Sequence, residues 1–279
     1  MAENSAIGWT HHTFNPWRGC QKVAPGCTNC YAEALAKRNP SVLGTWGADG
    51  TRVVAAEAYW REPLKWQRQA AAAGERRRVF CASLADVFED WNGPITNVRG
   101  EKLLCNQADL RRRLFALIDE TPDLDWLLLT KRPEHILRMT PAVRVNSQQQ
   151  ADDRNERGEL YRRNVWLLTS VSEQATADAN IPALLACRDL APVLGVSAEP
   201  LLGPINLQAA GALAAPDWLI VGGESGPRRR PCEVAWIVDV VDQCRAAALR
   251  CYVKQDAGPL PGQQGRIPDD VWTVKEFPS

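Results

Sequence analysis

Asn164-Val165-Trp166-Leu167-Leu168-Thr169-Ser170-Val171-Ser172-Glu173 is the stretch from which the fold is read. Residues 165–168 are apolar without a break, and the run becomes polar only towards its far end. A strand with one wet face alternates; an unbroken apolar strand is covered on both faces, as in a parallel sheet under helices. Working outward, the pattern recurs at Val79–Ser83, Trp126–Thr130, Val193–Ser197, Trp218–Gly222 and Cys251–Lys254, with a weaker candidate at Ile7–Thr10. Amphipathic segments separate these runs. In Leu103–Ile118, apolar Leu103, Leu110, Leu114, Leu117 and Ile118 fall at helical spacing, with Arg111–Arg113 on the other side. Gln174–Cys187 and Glu233–Leu249 behave similarly. Strand and helix in repeated alternation predict an α/β protein with a parallel sheet, closed or part-closed as a barrel, or open and doubly wound.

The strand ends favour one of these. Polar residues able to do chemistry follow the runs: Asp86, Thr130-Lys131-Arg132, Ser170 with Glu173, Ser197 with Glu199, Gly222-Gly223-Glu224, and Lys254-Gln255. A barrel brings all such ends to one mouth, whereas an open sheet concentrates ligands at one switch point. The expectation is a part-closed or closed parallel (β/α) barrel forming a single domain over residues 1–279. The polar region 144–163 reads as an excursion from it, and residues 257–279 as an irregular tail.

Lys+Arg and Asp+Glu both total 33, so the formal net charge is zero and there is no long-range field to draw in a polyanion. That argues against a non-specific nucleic-acid coat and leaves room for a local basic groove. No apolar run approaches the roughly 20 residues that span a bilayer. Met1-Ala2-Glu3-Asn4-Ser5 has neither the basic nor the apolar part of a secretory signal, so a cytoplasmic location is expected. No Ser-His-Asp pattern, Walker loop or HExxH is present, which leaves hydrolase chemistry without support.

Nine cysteines are an odd number in a long chain of this kind, and there a tight cluster is more often a metal or catalytic site than a disulfide framework. Cys81 and Cys251 stand singly in apolar runs and read as small buried hydrophobes. Three others share the loop Gly19-Cys20-Gln21-Lys22-Val23-Ala24-Pro25-Gly26-Cys27-Thr28-Asn29-Cys30. Three thiolates in a Gly/Pro-punctuated loop can wrap one soft cation or cluster. A helix predicted to begin at about Asn29 would offer free amides to the thiolate charge. Three ligands are one short of a structural zinc site and of the usual electron-transfer [4Fe–4S] set. An iron–sulfur cluster held by Cys20, Cys27 and Cys30 would keep one iron open, and S-adenosylmethionine is the usual occupant in radical chemistry. The alternative is zinc with a fourth ligand from His11, His12 or a distant cysteine such as Cys232.

Several stretches together carry a family likeness. They are Gly8-Trp9-Thr10, Thr13-Phe14-Asn15-Pro16-Trp17-Arg18-Gly19-Cys20, Gly26-Cys27-Thr28-Asn29-Cys30-Tyr31-Ala32, Leu127-Leu128-Leu129-Thr130-Lys131-Arg132-Pro133 and Ser197-Ala198-Glu199-Pro200-Leu201-Leu202-Gly203-Pro204. Asn164–Leu167, Ser170–Glu173, Trp218–Gly226 and Val253-Lys254-Gln255 add to them. In this order the chain resembles the phage-associated three-cysteine-motif family of radical-SAM-like proteins, which are distantly similar to spore photoproduct lyase, a DNA-repair radical enzyme. The resemblance covers about residues 7 to 256. It implies a part-closed barrel of the radical-SAM type, a [4Fe–4S] cluster and S-adenosylmethionine as cofactors, an electron donor as partner, and a nucleic-acid substrate for repair or modification. The chain departs from the common CxxxCxxC motif: six residues fill the first gap, Asn29 precedes Cys30, and the aromatic Tyr31 follows it. The Gly-Gly-Glu stretch that holds the methionine amino group in the superfamily follows an early strand there, but Gly222-Gly223-Glu224 follows a late one here. Asp86 is a competing candidate.

The candidate cofactor-binding residues are therefore Asp86, Lys131, Ser170, Glu173, Ser197, Glu199, Gly223 and Glu224. Strand-end carboxylates can hold an ammonium or ribose hydroxyls by charge-assisted hydrogen bonds; the bland reading is a helix-terminal carboxylate or an ion pair. Ser170 and Ser197 are weaker, since serine also caps helices. Lys131, Arg132 and Lys254 could bind carboxylate or phosphate, or pair with those glutamates. Arg228–Arg230 could meet a phosphate backbone or be a solvated run. Trp9, Phe14 and Trp17 are expected to shield the metal, while Arg76–Arg78 and Arg111–Arg113 are expected to face solvent. The function expected is a radical S-adenosylmethionine enzyme; the alternative is a non-catalytic zinc- or cluster-stabilised module, binding nucleic acid or protein, on the barrel scaffold.

Overall fold

A computed structural model describes residues 5–142, 161–212 and 216–278. Within them the chain passes through β1 (His12–Thr13), β2 (Trp17–Arg18), α1 (Tyr31–Arg38), α2 (Pro40–Leu43), β3 (Arg52–Val54), α3 (Glu57–Trp60) and α4 (Glu62–Ala73). It continues through β4 (Arg77–Cys81), β5 (Ile95–Thr96), α5 (Gln107–Asp119), β6 (Leu124–Thr130), α6 (Ile136–Met139), β7 (Val165–Val171) and α7 (Gln174–Leu185). β8 (Val193–Ala198), β9 (Trp218–Gly222), α8 (Val234–Ala246), β10 (Arg250–Gln255) and α9 (Asp269–Trp272) complete it. The excursion expected over 144–163 lies outside the described residues up to 160.

Seven strands form one parallel sheet in the order β1-β4-β6-β7-β8-β9-β10. The end strands β1 and β10 do not pair, so the sheet is a half-barrel, a part-closed form of the α/β fold expected. Strand parity divides the core. Val79 and Cys81, Leu128, Leu167, Leu194, Leu219, Val221 and Val253 join Leu114, Ile181, Leu184, Ile237 and Val241 of the covering helices. Phe80, Leu127, Leu168, Ile220 and Tyr252 face the other way and form a second cluster with Trp9, Trp166 and Trp218. Both faces of the sheet are therefore dry, which is why the strands are unbroken apolar runs.

The aromatics of the inner cluster sit towards the N-terminal ends of the strands and plug that end. Trp9 packs 4.7 Å from Phe80 and 6.2 Å from Trp218 between ring centroids. The C-terminal tail pairs Lys275 with Tyr252 and lays Phe277 against Trp218, 5.5 Å away, beneath the Arg78 guanidinium at 3.9 Å. Side chains thus bridge the seam at this end where the strands do not. A groove of about 900 Å³, lined by His11, His12, Gln69, Glu75 and Arg77, opens here too. It is the end where barrel residues serve stability rather than chemistry.

Four expectations are corrected. Ile7–Thr10 is not a strand: β1 begins at His12, and the Thr10 hydroxyl, accepting from the Phe80 amide at 3.1 Å, takes the place of a ladder partner. Arg111 is buried and donates to the carbonyls of Val87 and Glu89 at 2.9 and 3.0 Å. Arg78 is half-buried and donates to the Trp9 carbonyl at 3.0 Å, whereas Arg76, paired with Asp125, is exposed as expected. Trp9 belongs to the plug, while Phe14 and Trp17 lie in the outer core with Trp60 and Trp66, so none of the three shields the cysteine loop. No helix among the described residues is long and apolar enough to cross a membrane.

Candidate metal centre

A small second sheet, β2-β3-β5, delivers the chain to the cysteine loop: Trp17 and Arg18 pair antiparallel with Val54 and Val53, and β3 runs parallel to β5. The next residue, Gly19, has φ +109°, and a Cβ there would stand 2.5 Å from the Thr51 carbonyl oxygen. Only glycine makes this turn. The loop then crosses the C-terminal edge of the main sheet. A Cβ on Gly26 would strike Ser172 Oγ and stand 3.4 Å from Pro200 Cδ and 3.6 Å from Lys131 Cε. The ends of β6, β7 and β8 therefore lie directly under it. Pro25–Cys27 form a single 3₁₀ turn, and α1 starts at Tyr31 with Cys30 as its N-cap, two residues later than expected.

The Cys20 end rests on a buried polar network. Arg132 donates from Nη1 to Cys20 Sγ at 3.7 Å and to Asp86 Oδ2 at 2.9 Å, and from Nη2 to the Gln21 carbonyl at 2.7 Å. Glu89 accepts the Gln21 amide at 2.8 Å and both Nε and Nη2 of Arg52, at 2.7 and 2.8 Å. Arg52 lies over the Trp91 ring at 3.6 Å. Burial, with Asp86 and Glu89 beside it, pushes the Cys20 thiol up to about 12 against the opposing pull of Arg132. The free thiol therefore keeps its proton near neutrality, and a metal would have to displace it.

The other end is held from the β9 loop. Glu224 accepts from Arg230 Nη2 at 2.6 Å, from Arg230 Nε at 3.0 Å and from Asn29 Nδ2 at 3.1 Å. Arg230 also reaches the Pro25 carbonyl at 2.9 Å, and Tyr31 donates to the Ser83 carbonyl at 2.7 Å. Burial raises the Cys30 thiol; the amides of Glu33 and Ala32 and the ammonium of Lys131 oppose it, while Cys27 adds to it. The helix start thus favours thiolate at Cys30 as expected, but burial outweighs it.

All the candidate cofactor-binding residues lie on this C-terminal edge, though in different situations. Asp86 is buried and committed to Arg132, the Thr130 hydroxyl and the Phe88 and Lys131 amides. Glu199 is ion-paired with Lys254, and its carbonyl accepts from Ser170 Oγ at 2.9 Å. Ser170 and Ser197 are register partners on the inner face of β7 and β8. Glu173 is the N-cap residue of α7, where Thr176 Oγ1 accepts the Ser172 and Glu173 amides at 2.8 and 3.1 Å. Gly223 is pressed against the backbone of Ala257, whose N a Cβ would strike and whose Cα would stand 2.8 Å off. Its role here is close packing. The Lys131 ammonium forms no hydrogen bond or ion pair among the described residues and lies near Cys30.

The three cysteines are all half-exposed. Among the described residues no group of three or more His, Cys, Asp or Glu side chains is already assembled around a cation. The three residues named as a fourth zinc ligand lie in other surroundings. His11 lies in the groove at the opposite end, His12 stacks on Trp66 at 4.4 Å, and Cys232 is beside Asp256 and Arg266. Sequence reasoning missed Glu89, Arg52 and Arg230 as supports of the loop. The one local signal was Glu89 lying three residues past Asp86.

A family model described as a protein of unknown function, DUF5131, matches residues 4–266. No curated protein and no solved structure matches the chain significantly. The family match takes in the cysteine loop, both arms that hold it and every strand of the half-barrel, and on that evidence the chain belongs to the DUF5131 family.

Proposed function

We propose that this is a radical S-adenosylmethionine enzyme of the three-cysteine type. The observation that carries the reading is the cysteine loop lying across the barrel mouth with its three thiols half-exposed there. The donor set fits a soft centre: three half-exposed cysteines on one loop tied down at both ends. Cys20, Cys27 and Cys30 would hold a [4Fe–4S] cluster. Bound there, such a cluster would supply one electron to the sulfonium of S-adenosylmethionine, whose C5′–S bond would break to give methionine and a 5′-deoxyadenosyl radical able to abstract hydrogen from substrate.

The chain's own residues do the rest. Lys131, without a counter-ion among the described residues, is available to a carboxylate at the mouth. Ser170, Ser197 and the Glu199–Lys254 pair line the inner wall next to it. The aromatic plug closes the far end and keeps water from entering beneath the mouth. The sequence resemblance supports the same reading. For the substrate it points to nucleic acid, and exposed Arg228 and Arg229, tied to the loop through Asn29 and the Arg228 carbonyl at 2.7 Å, offer phosphate contacts. That part of the reading rests on analogy.

The test is anaerobic reconstitution of the full chain, with iron and sulfide counted per chain and 5′-deoxyadenosine assayed under a strong reductant. The expected result is a brown protein with iron and sulfide in [4Fe–4S] proportion that cleaves S-adenosylmethionine, with both properties lost in Cys27→Ala. Zinc and no iron, or a loaded cluster that neither binds nor cleaves S-adenosylmethionine, defeats it.

A further inference from the structure

Under the Cys20 end of the loop lies a sealed polar cluster whose formal charges do not cancel. Arg52, Arg111 and Arg132 contribute three guanidiniums, Asp86 and Glu89 two carboxylates, and these five residues are 0–6 % exposed. Asp90 and Arg138 at the border pair with each other at 3.0 Å and leave the sum unchanged. Glu89 is taken up by Arg52 and the Gln21 amide; Asp86 Oδ1 by the Thr130 hydroxyl at 2.7 Å and the Phe88 amide at 2.9 Å. Arg111 is turned to backbone carbonyls. The surplus positive charge falls on Arg111, which meets carbonyls and no carboxylate. Arg132 pairs with Asp86 Oδ2 at 2.9 Å and is the guanidinium of the three that reaches the cysteine itself, with Nη1 3.7 Å from the Cys20 sulfur.

We infer that Arg132 is a positioning residue for the metal centre: its guanidinium fork holds the Cys20 arm through the Gln21 carbonyl, and its Nη1–H donates to the Cys20 sulfur as that sulfur ligates metal. Arg52 and Glu89 keep the fork in place, since Glu89 also accepts from Arg132 Nη2 at 3.4 Å. A planar fork suits this task, because one side of it must satisfy the carbonyl while the other meets sulfur and Asp86; an ammonium cannot do all three. The inference rests on the proposed function only in requiring that the cysteines bind a metal. Hydrogen bonds to ligand sulfur also tune a cluster's reduction potential, so a charge-assisted donor here raises it.

The test compares wild type, Arg132→Lys and Arg132→Met as full chains reconstituted anaerobically. It measures iron affinity against a chelator and cluster midpoint potential by a redox titration followed by electron paramagnetic resonance. Arg132→Met strips Asp86 of its cation and lowers fold stability, so Arg132→Lys, which keeps the charge, decides the matter. Both variants should bind iron about 10- to 100-fold more weakly, the usual loss when an outer partner of a metal ligand is removed. The clusters they do hold should have a more negative potential than wild type. Wild-type affinity and potential in Arg132→Lys overturn the inference while the radical reading stands. A wild-type chain that takes zinc and no iron defeats the radical reading instead, and the Arg132 role is then decided by the same affinity comparison with zinc. A chain that takes neither metal overturns both.

Discussion

Glu224 shows what a rim carboxylate does in this molecule. Burial favours its neutral form, yet the Arg230 guanidinium, Asn29 and the Arg230 amide hold its pKa below the ordinary 4.5. A carboxyl depressed in the folded state contributes stability above its unfolded pKa and loses it as pH falls through the folded one. Glu224→Gln should therefore cost about 1–3 kcal/mol near neutrality. The difference from wild type should stay level down to about pH 5 and shrink below that. Urea unfolding across pH checks it; a gap that does not close in acid would contradict the role. At Gly223 the obstacle is the Ala257 backbone, which cannot swing aside as a side chain can. Gly223→Ala should cost about 1–3 kcal/mol by overpacking. Weaker S-adenosylmethionine binding with no loss of stability would instead make Gly223 a ligand contact.

Among the elements, α7 separates a cap from a binding site. Glu173 follows β7 as the glutamates near β8 and β9 follow theirs, but it opens a helix, and Thr176 turns back to cap it. Thr176→Ala should lose about 1 kcal/mol by denaturant unfolding. Glu173→Gln should leave S-adenosylmethionine affinity unchanged in equilibrium dialysis, and a clear loss of affinity there would return Glu173 to the site. The cysteine loop has the opposite character. It is irregular between β2 and α1, so its shape depends on what clasps it: Arg132 at one end, and Arg230 with Glu224 at the other.

At the scale of the whole molecule, the two ends of the half-barrel have divided labour. The N-terminal end is closed by Trp9, Trp166, Trp218, Tyr252 and the tail residue Phe277; the C-terminal end carries the polar rim and the cysteines. Phe277→Ala removes a half-buried ring from the plug and should cost about 2 kcal/mol, less than the loss of a fully buried one. Thermal unfolding measures that cost. Iron content after reconstitution should stay at the wild-type level, and a fall in iron would mean the two ends are coupled.

The sequence alone determined the class of fold, the strand runs and the three-cysteine loop, because burial on both faces and close thiol spacing are properties of neighbouring residues. Val165–Val171 became a buried strand as its composition required, and Leu103–Ile118 overlaps the helix Gln107–Asp119, which begins four residues later and ends one later. Tertiary structure decided which charge meets which. Arg52 finds Glu89 across 37 positions and Asn29 finds Glu224 across 195, and nothing local to either residue specifies such a partner. It also decided that Arg111, polar in its helix pattern, is buried, and that β1, only two residues long, leaves the barrel open. Local patterns say which face of an element is dry; only chain closure brings a particular donor to a particular acceptor.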